Sequence, residues 1–443
     1  MATSLKRSKG SQSSLRIGTF SFWIKFTTVG GFNIYSNTVE NDNNRGYLSF
    51  TSDSKYRMVD NDSSGTHIQL RTNRLFRDFN AWYHVVVRID TTQSTSTDRV
   101  RIYVNGVQET SFDQTDYPSQ NTDLKIFEGG QTNREYMNNI YGGSASSPNF
   151  YLSHFHYADG QSYGPDTFGS TDSSTGEWKI NVDPTVTYGN QGFFMFKDDA
   201  SLNDDSGNSN NWSSDSGTIQ KSEDNPSNVF AMWNRLMIPG NMQYQNGNTS
   251  IRPQANSMDW QAGSTLAFSS GKYYAEFKYL ENDGHQMFGI ATPNGAQYLK
   301  ENGQYPGQTS ESVAIYASNG SVYENNSATS YGSGFANNAI IMMAVDADNN
   351  KIYFGSNGSW YNSGNPSSGT NGYSFNATNL AGFKYMVSGN GASGYDNVDA
   401  NFGNGFFGTT AISSEGTNAS GLGKFEYDVP TGYSALCTKG LNL

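Results

Sequence analysis

The chain has 443 residues, a net charge of −12 and aromatics at 14%. That length provides for two or three domains, each able to bury a core, and the aromatic content excludes a disordered chain. The charge is spread evenly, with 18 basic and 24 acidic residues up to Gln220 and 10 and 16 beyond it, so both halves would repel a phosphate backbone and nucleic acid is not an expected partner.

The first feature in chain order is basic. Lys6, Arg7, Lys9 and Arg16 form the one cluster of positive charge, read as an N-terminal arm over 1–16. Such an arm is either solvated or anchors the chain to an acidic partner. No apolar stretch follows it, so no signal peptide is expected. No apolar run approaches the ~20 residues that span a bilayer, and no membrane insertion is expected. Cys437 is the single cysteine, which rules out a disulfide within the chain.

Phe20, Phe22, Ile24 and Phe26 alternate with Ser21, Trp23, Lys25 and Thr27, the period of a strand with one buried face. AWYHVVVRID from Ala81 and RVRIYVNGV from Arg99 alternate in the same way, and Asn105–Gly106 supplies a tight turn. Further strands are expected at Leu124–Phe127, Phe150–Tyr157 and Gly192–Phe196. The stretch from Asp198 to about Met242 is polar and turn-rich, which reads as the end of one domain and a connector.

Alternation resumes at Gly271. Tyr273, Ala275, Phe277 and Tyr279 face one way, and Lys272, Glu276 and Lys278 the other. Ile340 to Val345 is apolar on both faces, as in a strand covered on both sides. Asp348–Asn349–Asn350 turns the chain, and the glycine-rich stretch 355–372 reads as loop. No helical period of useful length is evident. The expected fold is all-β: two tandem antiparallel β-sandwich domains of the concanavalin-like jelly-roll kind. The boundaries are an arm at 1–16, a sandwich at 17–215, a connector at 216–245, a sandwich at 246–410 and a tail at 411–443.

These residues resemble known families. AWYHVVVRID followed by RVRIYVNGV, with FSFWIKF before and NFYLSHFHYADG after, resembles the laminin-G-like, concanavalin-type sandwich. GKYYAEFKY, FGIAT, VAIYASNG, AVDADNNKIYFGSNGSW and NFGNGFF resemble a SPRY domain. YGPDTFG, TGEWKI, YGNQGFFMFKD, DDSGNSNNW and the ending YDVPTGYSALCTKGLNL are similar to a group of phage virion proteins, especially of marine phages. The resemblance implies a virion structural protein made in the host cytoplasm, in a tail fibre, spike or other external appendage. It implies other virion proteins as partners, a homo-oligomer with a trimer as the first guess, and attachment to host-surface glycan or protein. A purely architectural head-decorating or tail-assembly role is the alternative, and a glycan depolymerase a third.

Chemistry points away from an enzyme. Glycoside hydrolysis uses two carboxylates across one cleft. Glu276, Glu281 and Asp283 are the nearest group, with Glu281 and Asp283 at a strand end. His154 and His156, two apart on a strand, could face a metal, but no ligand set surrounds them. His84 sits where the laminin-G-like family has a polar strand residue, which implies a structural role, and Cys437 reads as a small buried residue. No cofactor is expected beyond one calcium candidate. Asp198, Asp199, Asp204, Asp205 and Asn208 supply oxygens in a flexible loop, though the same composition makes plain turns. For glycan or protein contact the loops offer Tyr298, Tyr305, Tyr331, Trp360 and Tyr361.

Overall fold

A computed structural model describes residues 3–28, 30–38, 43–79, 81–140, 143, 150–197, 199–237, 242–253, 261–280, 284–302, 304–390 and 397–442. The chain divides into two compact units, Met1–Lys221 and Ser222–Leu443. Both are all-β sandwiches of antiparallel sheets.

The first unit contains β1 (Ser4–Lys9), β2 (Ile17–Phe26), β3 (Phe32–Thr38), β4 (Arg45–Phe50), β5 (Lys55–Asp62), β6 (Gly65–Leu75), β7 (Trp82–Asp90), β8 (Val100–Val104), β9 (Val107–Gln108) and β10 (Phe112–Asp116). They are followed by β11 (Gln131–Met137), β12 (Phe150–Asp159), β13 (Gly169–Thr171), β14 (Trp178–Ile180), β15 (Phe193–Met195) and β16 (Ser213–Ser216). An eight-stranded sheet runs β10-β6-β5-β4-β3-β11-β1-β16, and a six-stranded sheet runs β15-β12-β2-β7-β8-β9. The inward residues of the two sheets meet in one core, where Phe20 of β2 lies 4.8 Å from Tyr35 of β3 and 4.6 Å from Tyr157 of β12. Each such ring contributes roughly 1.5–3 kcal/mol on burial. Asn105 and Gly106 both take positive φ, 48° and 78°, in the turn between β8 and β9.

Three expectations are corrected in this unit. Residues 4–9 are no arm: β1 is paired on both sides, with β11 and β16. Arg7 and Lys9 point into the core, because Glu135 and Tyr35 wait there to satisfy them. Leu124–Phe127 is a turn, and its three apolar side chains plug the sandwich end. Gly46 makes room for it, since a Cβ there would lie 2.4 Å from Cβ of Ile126. Asp60 fastens the same turn by accepting from the N–H of Lys125 and of Ile126. Finally, the second face of β2 is covered too. Ser21, Trp23 and Lys25 are buried, with Trp23 stacked on His84, and His84 on Trp178 of the β13–β14 hairpin.

The second unit contains β17 (Met242–Gln245), β18 (Ser250–Pro253), β19 (Gln261–Phe268), β20 (Lys272–Tyr279), β21 (Gln286–Ala291), α1 (Pro293–Asn302), β22 (Ser312–Tyr316), β23 (Ser321–Glu324), β24 (Ser327–Ser330) and β25 (Ile340–Asp346). Then come β26 (Lys351–Ser356), β27 (Ser359–Trp360), β28 (Tyr373–Ser374), β29 (Lys384–Asn390), β30 (Val398–Asn401), β31 (Phe406–Phe407), β32 (Thr410–Ala411) and β33 (Ser434–Ala435). One sheet follows β17-β18-β30-β20-β25-β26-β27, with β28 and β33 attached, and the other β19-β29-β21-β22-β23-β24. Phe277 of the first stacks on Phe288 of the second at 5.3 Å. The helix α1 was not foreseen. Its start is nonetheless written locally, with Pro293 in the first turn and Thr292 Oγ1 accepting from Gly295 N–H.

The expected tail at 411–443 is part of this sandwich. Phe425, Val429, Tyr433, Ala435 and Cys437 cover the outer face of β20, β25 and β26 with Tyr274, Met342 and Tyr353. β33 pairs parallel with β20. That covering explains why β25 is apolar on both faces. Within the expected connector, Phe230 to Trp233 is likewise buried in this unit.

Candidate functional site

The outer face of the eight-stranded sheet carries a polar row that crosses five strands. Asn33 of β3 stands opposite Ser49 of β4, Ser49 opposite Arg57 of β5, Arg57 opposite Arg71 of β6, and Arg71 opposite Gln114 of β10. Strands lie about 4.8 Å apart, so the row spans roughly 19 Å. Its side chains face outward because the alternate residues, such as Leu48, Tyr56, Met58 and Leu70, fill the core.

All of the row but Gln114 lines a recess of about 520 Å³ between Gly31–Asn33, Ser49–Asp53, Arg57 and Arg71. The Thr51–Lys55 turn forms one wall, closed by Thr51 N–H to Lys55 O and Ser54 N–H to Thr51 O. Arg71 is held bidentate by Asp113 at 2.7 and 2.9 Å, which also takes the Lys55 ammonium. These two cations hold the Asp113 carboxyl down at about 2. Arg57 donates through Nε to Ser49 Oγ at 3.3 Å, and its guanidinium lies 5.2 Å over the Tyr47 ring. Arg45 lies over the same ring at 5.6 Å. One carboxylate, Asp53, lines the recess. Oriented amide, hydroxyl and guanidinium donors on a rigid sheet suit the binding of a polyhydroxylated or anionic ligand.

The residues singled out from sequence fall elsewhere. Lys6 pairs with Asp215, and Arg16, half-exposed, with Asp123. Arg7 and Lys9 share the buried Glu135 and present no charge to a partner. Burial pushes the Lys9 ammonium down to about 8 against the pull of Glu135. Arg7 also caps the rings of Phe193 and Trp212.

In the calcium candidate, Asp198 lies outside the described residues. Asp204 spends both oxygens at home, on Phe194 and Ser206 N–H through one and on Ser206 Oγ and Asn210 N–H through the other. Asp199 accepts from Ser201 N–H, Asp205 N–H donates to Phe194 O, and Asn208 donates to the carbonyls of Gly189 and Gly192. In this structure the described groups of the loop hydrogen-bond within it and to neighbouring strands. Among the described residues no cluster of three His, Cys, Asp or Glu could hold a metal.

Among the loop aromatics, Tyr331 is buried edge-on to Phe354, and Tyr361 stacks on Phe335 with Gly332 against its ring. Trp360 packs near Tyr274 and Tyr353, and Tyr305 bonds Asn326 beside Tyr323. Tyr331 is buried, whereas Tyr305, Trp360 and Tyr361 are half-buried in their loops. The Tyr298 side chain lies outside the described residues, as do Glu281 and Asp283.

Glu276 is fully buried and accepts from the N–H groups of Glu426 and Tyr427, from Tyr274 Oη and from Asn401. Burial pushes its carboxyl up to about 7. It pins the C-terminal segment and faces no cleft. His84 accepts from Trp178 Nε1 at Nδ1, which leaves Nε2 to donate to Ser21 Oγ at 2.9 Å. His156 meets Tyr188 Oη and stacks on Phe194 at 4.0 Å. A β-bulge with φ 48° at His154 re-aims that residue, which breaks the simple parity expected of the pair.

Sequence reasoning missed the recess because it placed no strands between residues 32 and 75. The signal was present in RGYLSF and KYRMVD, where apolar residues alternate with Arg, Tyr and Ser.

Residues 8–143 match the concanavalin A-like lectin/glucanases superfamily model, and residues 272–401 match the SPRY domain model. The chain carries a concanavalin A-like domain and a SPRY domain. Similar solved structures include the SPRY domain of human HERC1, 16% identical, covering 38% of this chain and 96% of that one at a TM-score of 0.30. The TRIM65 PSpry domain is 14% identical, covering 39% and 91% at 0.29. No curated protein sequence matches. No helix among the described residues is long and apolar enough to cross a membrane.

Proposed function

We propose that this protein is a non-catalytic binding component of a phage virion, part of a tail fibre, spike or other external appendage, and that its concanavalin A-like domain holds host-surface glycan. The observation that carries the binding part is the recess at Asn33, Ser49 and Arg57, set on a rigid sheet with outward donors. Its single lining carboxylate, Asp53, suits retention of sugar, since hydrolysis uses two. The virion part draws on the motifs from YGPDTFG to YDVPTGYSALCTKGLNL. Assembly as a homotrimer, and attachment to other virion proteins, belong to the same proposal.

A glycan array probed with the full chain tests it. Binding should be retained on some class of glycan and lost with Asn33→Trp, which fills the recess, at unchanged melting temperature. A chain that binds nothing on the array contradicts the glycan reading.

A second, architectural reading draws on Leu236 and Phe383, which are 75% and 59% exposed in the SPRY unit and suit contact with another chain.

A further inference from the structure

The row across the sheet sets two arginines directly opposite each other, Arg57 on β5 and Arg71 on β6. Like charges in that relation destabilise a sheet unless an anion stands between or beside them. Asp113 performs that service for Arg71, through two hydrogen bonds. Arg57 is treated differently. Among the described residues the one hydrogen bond of its side chain is from Nε to the neutral Ser49 Oγ. Its guanidinium carbon lies 5.2 Å over the Tyr47 ring, and Arg57 itself lines the recess. Lys55 is taken by Asp113, and Arg45 shares the Tyr47 ring with Arg57.

We infer that the recess recognises an acidic sugar, with Arg57 receiving its oxyanion. This deepens the glycan reading above and rests on it. A planar guanidinium matches a carboxylate in two parallel hydrogen bonds and binds a sulfate ester with the same donors. Asn33, two strands along the row from Arg57, is placed for a hydroxyl of the same or the adjoining ring, while the buried Ser49 hydroxyl holds Arg57 Nε. The shared chemistry is an oxyanion carried on a neutral, hydroxyl-rich chain. A dense polyanion fits less well, because the protein is itself at −12, whereas a single acidic group acts within the ~8 Å that salt leaves unscreened.

The test is titration calorimetry of the full chain with trigalacturonate, with a sulfated galactotriose, and with neutral galactotriose and maltotriose, each repeated on Arg57→Gln. Thermal melting of the variant checks its fold, and Arg57→Lys serves as a second variant that keeps the charge but not the fork. The expected result is binding of the carboxylate or the sulfate probe, weakened tenfold or more in Arg57→Gln, with partial recovery in Arg57→Lys. Which of the two acidic probes binds identifies the oxyanion. Equal affinity for the neutral probes, or acidic binding that survives Arg57→Gln, overturns the assignment of Arg57 and leaves the glycan reading standing. No binding of any probe, together with an empty glycan array, overturns both.

Discussion

Arg57 and Arg71 face each other across neighbouring strands, and Asp113 grips the second of them. The sheet therefore carries a repulsion that one carboxylate offsets. Asp113→Asn should release it. The melting temperature of the concanavalin A-like unit should fall at low salt and recover as salt screens the two guanidiniums. A melting temperature that ignores both the substitution and the salt would show that the opposed pair carries no cost.

A buried ionic cluster lies at the heart of the same unit. Glu135 is fully buried with Arg7 and Lys9, and Tyr35 donates to it. Burial alone would raise its pKa, yet the two cations hold it below the usual range. Glu135→Ala leaves two buried cations without their anion and should cost about 3–5 kcal/mol. Denaturant unfolding measures it. Arg7→Met with Lys9→Met and Glu135→Leu together should cost far less than Glu135→Ala.

In the SPRY unit, Glu276 couples stability to pH. Its carboxyl is raised from 4.5 to about 7 by burial, so the folded state holds a proton that the unfolded chain has released. Its contribution is complete below about pH 4.5 and is lost as pH rises through 7. Glu276→Gln, which does not titrate, should flatten that fall. Urea unfolding at pH 4.5, 6 and 8 compares the slopes of variant and parent.

His84 acts in the opposite direction. Burial, and secondarily His154, lower it from 6.5 to about 3, so the unfolded chain takes up the proton first. The contribution is present above pH 6.5 and is lost as pH falls toward 3. His84→Gln should therefore reduce the acid sensitivity of the concanavalin A-like unit between pH 6.5 and 4. Fluorescence of Trp23 and Trp178, which flank His84, reports the transition.

The sequence disclosed the fold where its alternation was undiluted. Phe20 to Phe26, Tyr83 to Ile89 and Tyr273 to Tyr279 lie in the sandwich cores on the parity expected. Covered faces were harder to see. Ser21, Trp23 and Lys25 read as a solvent face, but all three are buried, the first two beneath His84 and Trp178 and Lys25 beside Tyr151. The basic residues at 6–9 looked like an arm because their anion, Glu135, lies 128 residues away from Arg7. The C-terminal stretch looked like a tail because its apolar residues have no period and are ordered by Glu276 and β33. The recess depends on register across four strands, which no local pattern states. The loop tyrosines stood out by composition, and their packing against Phe335, Phe354 and Tyr323 is a tertiary matter.

The central claim is that ligand enters the recess beside Asn33, Ser49 and Arg57. A crystal of the full chain soaked with the tightest oligosaccharide from the array tests it most directly. Density for a sugar along the row from Asn33 toward Arg71, with an acidic group on Arg57, is the predicted result. Density confined to the SPRY loops near Tyr305 or Tyr361, with the recess holding water, would contradict it.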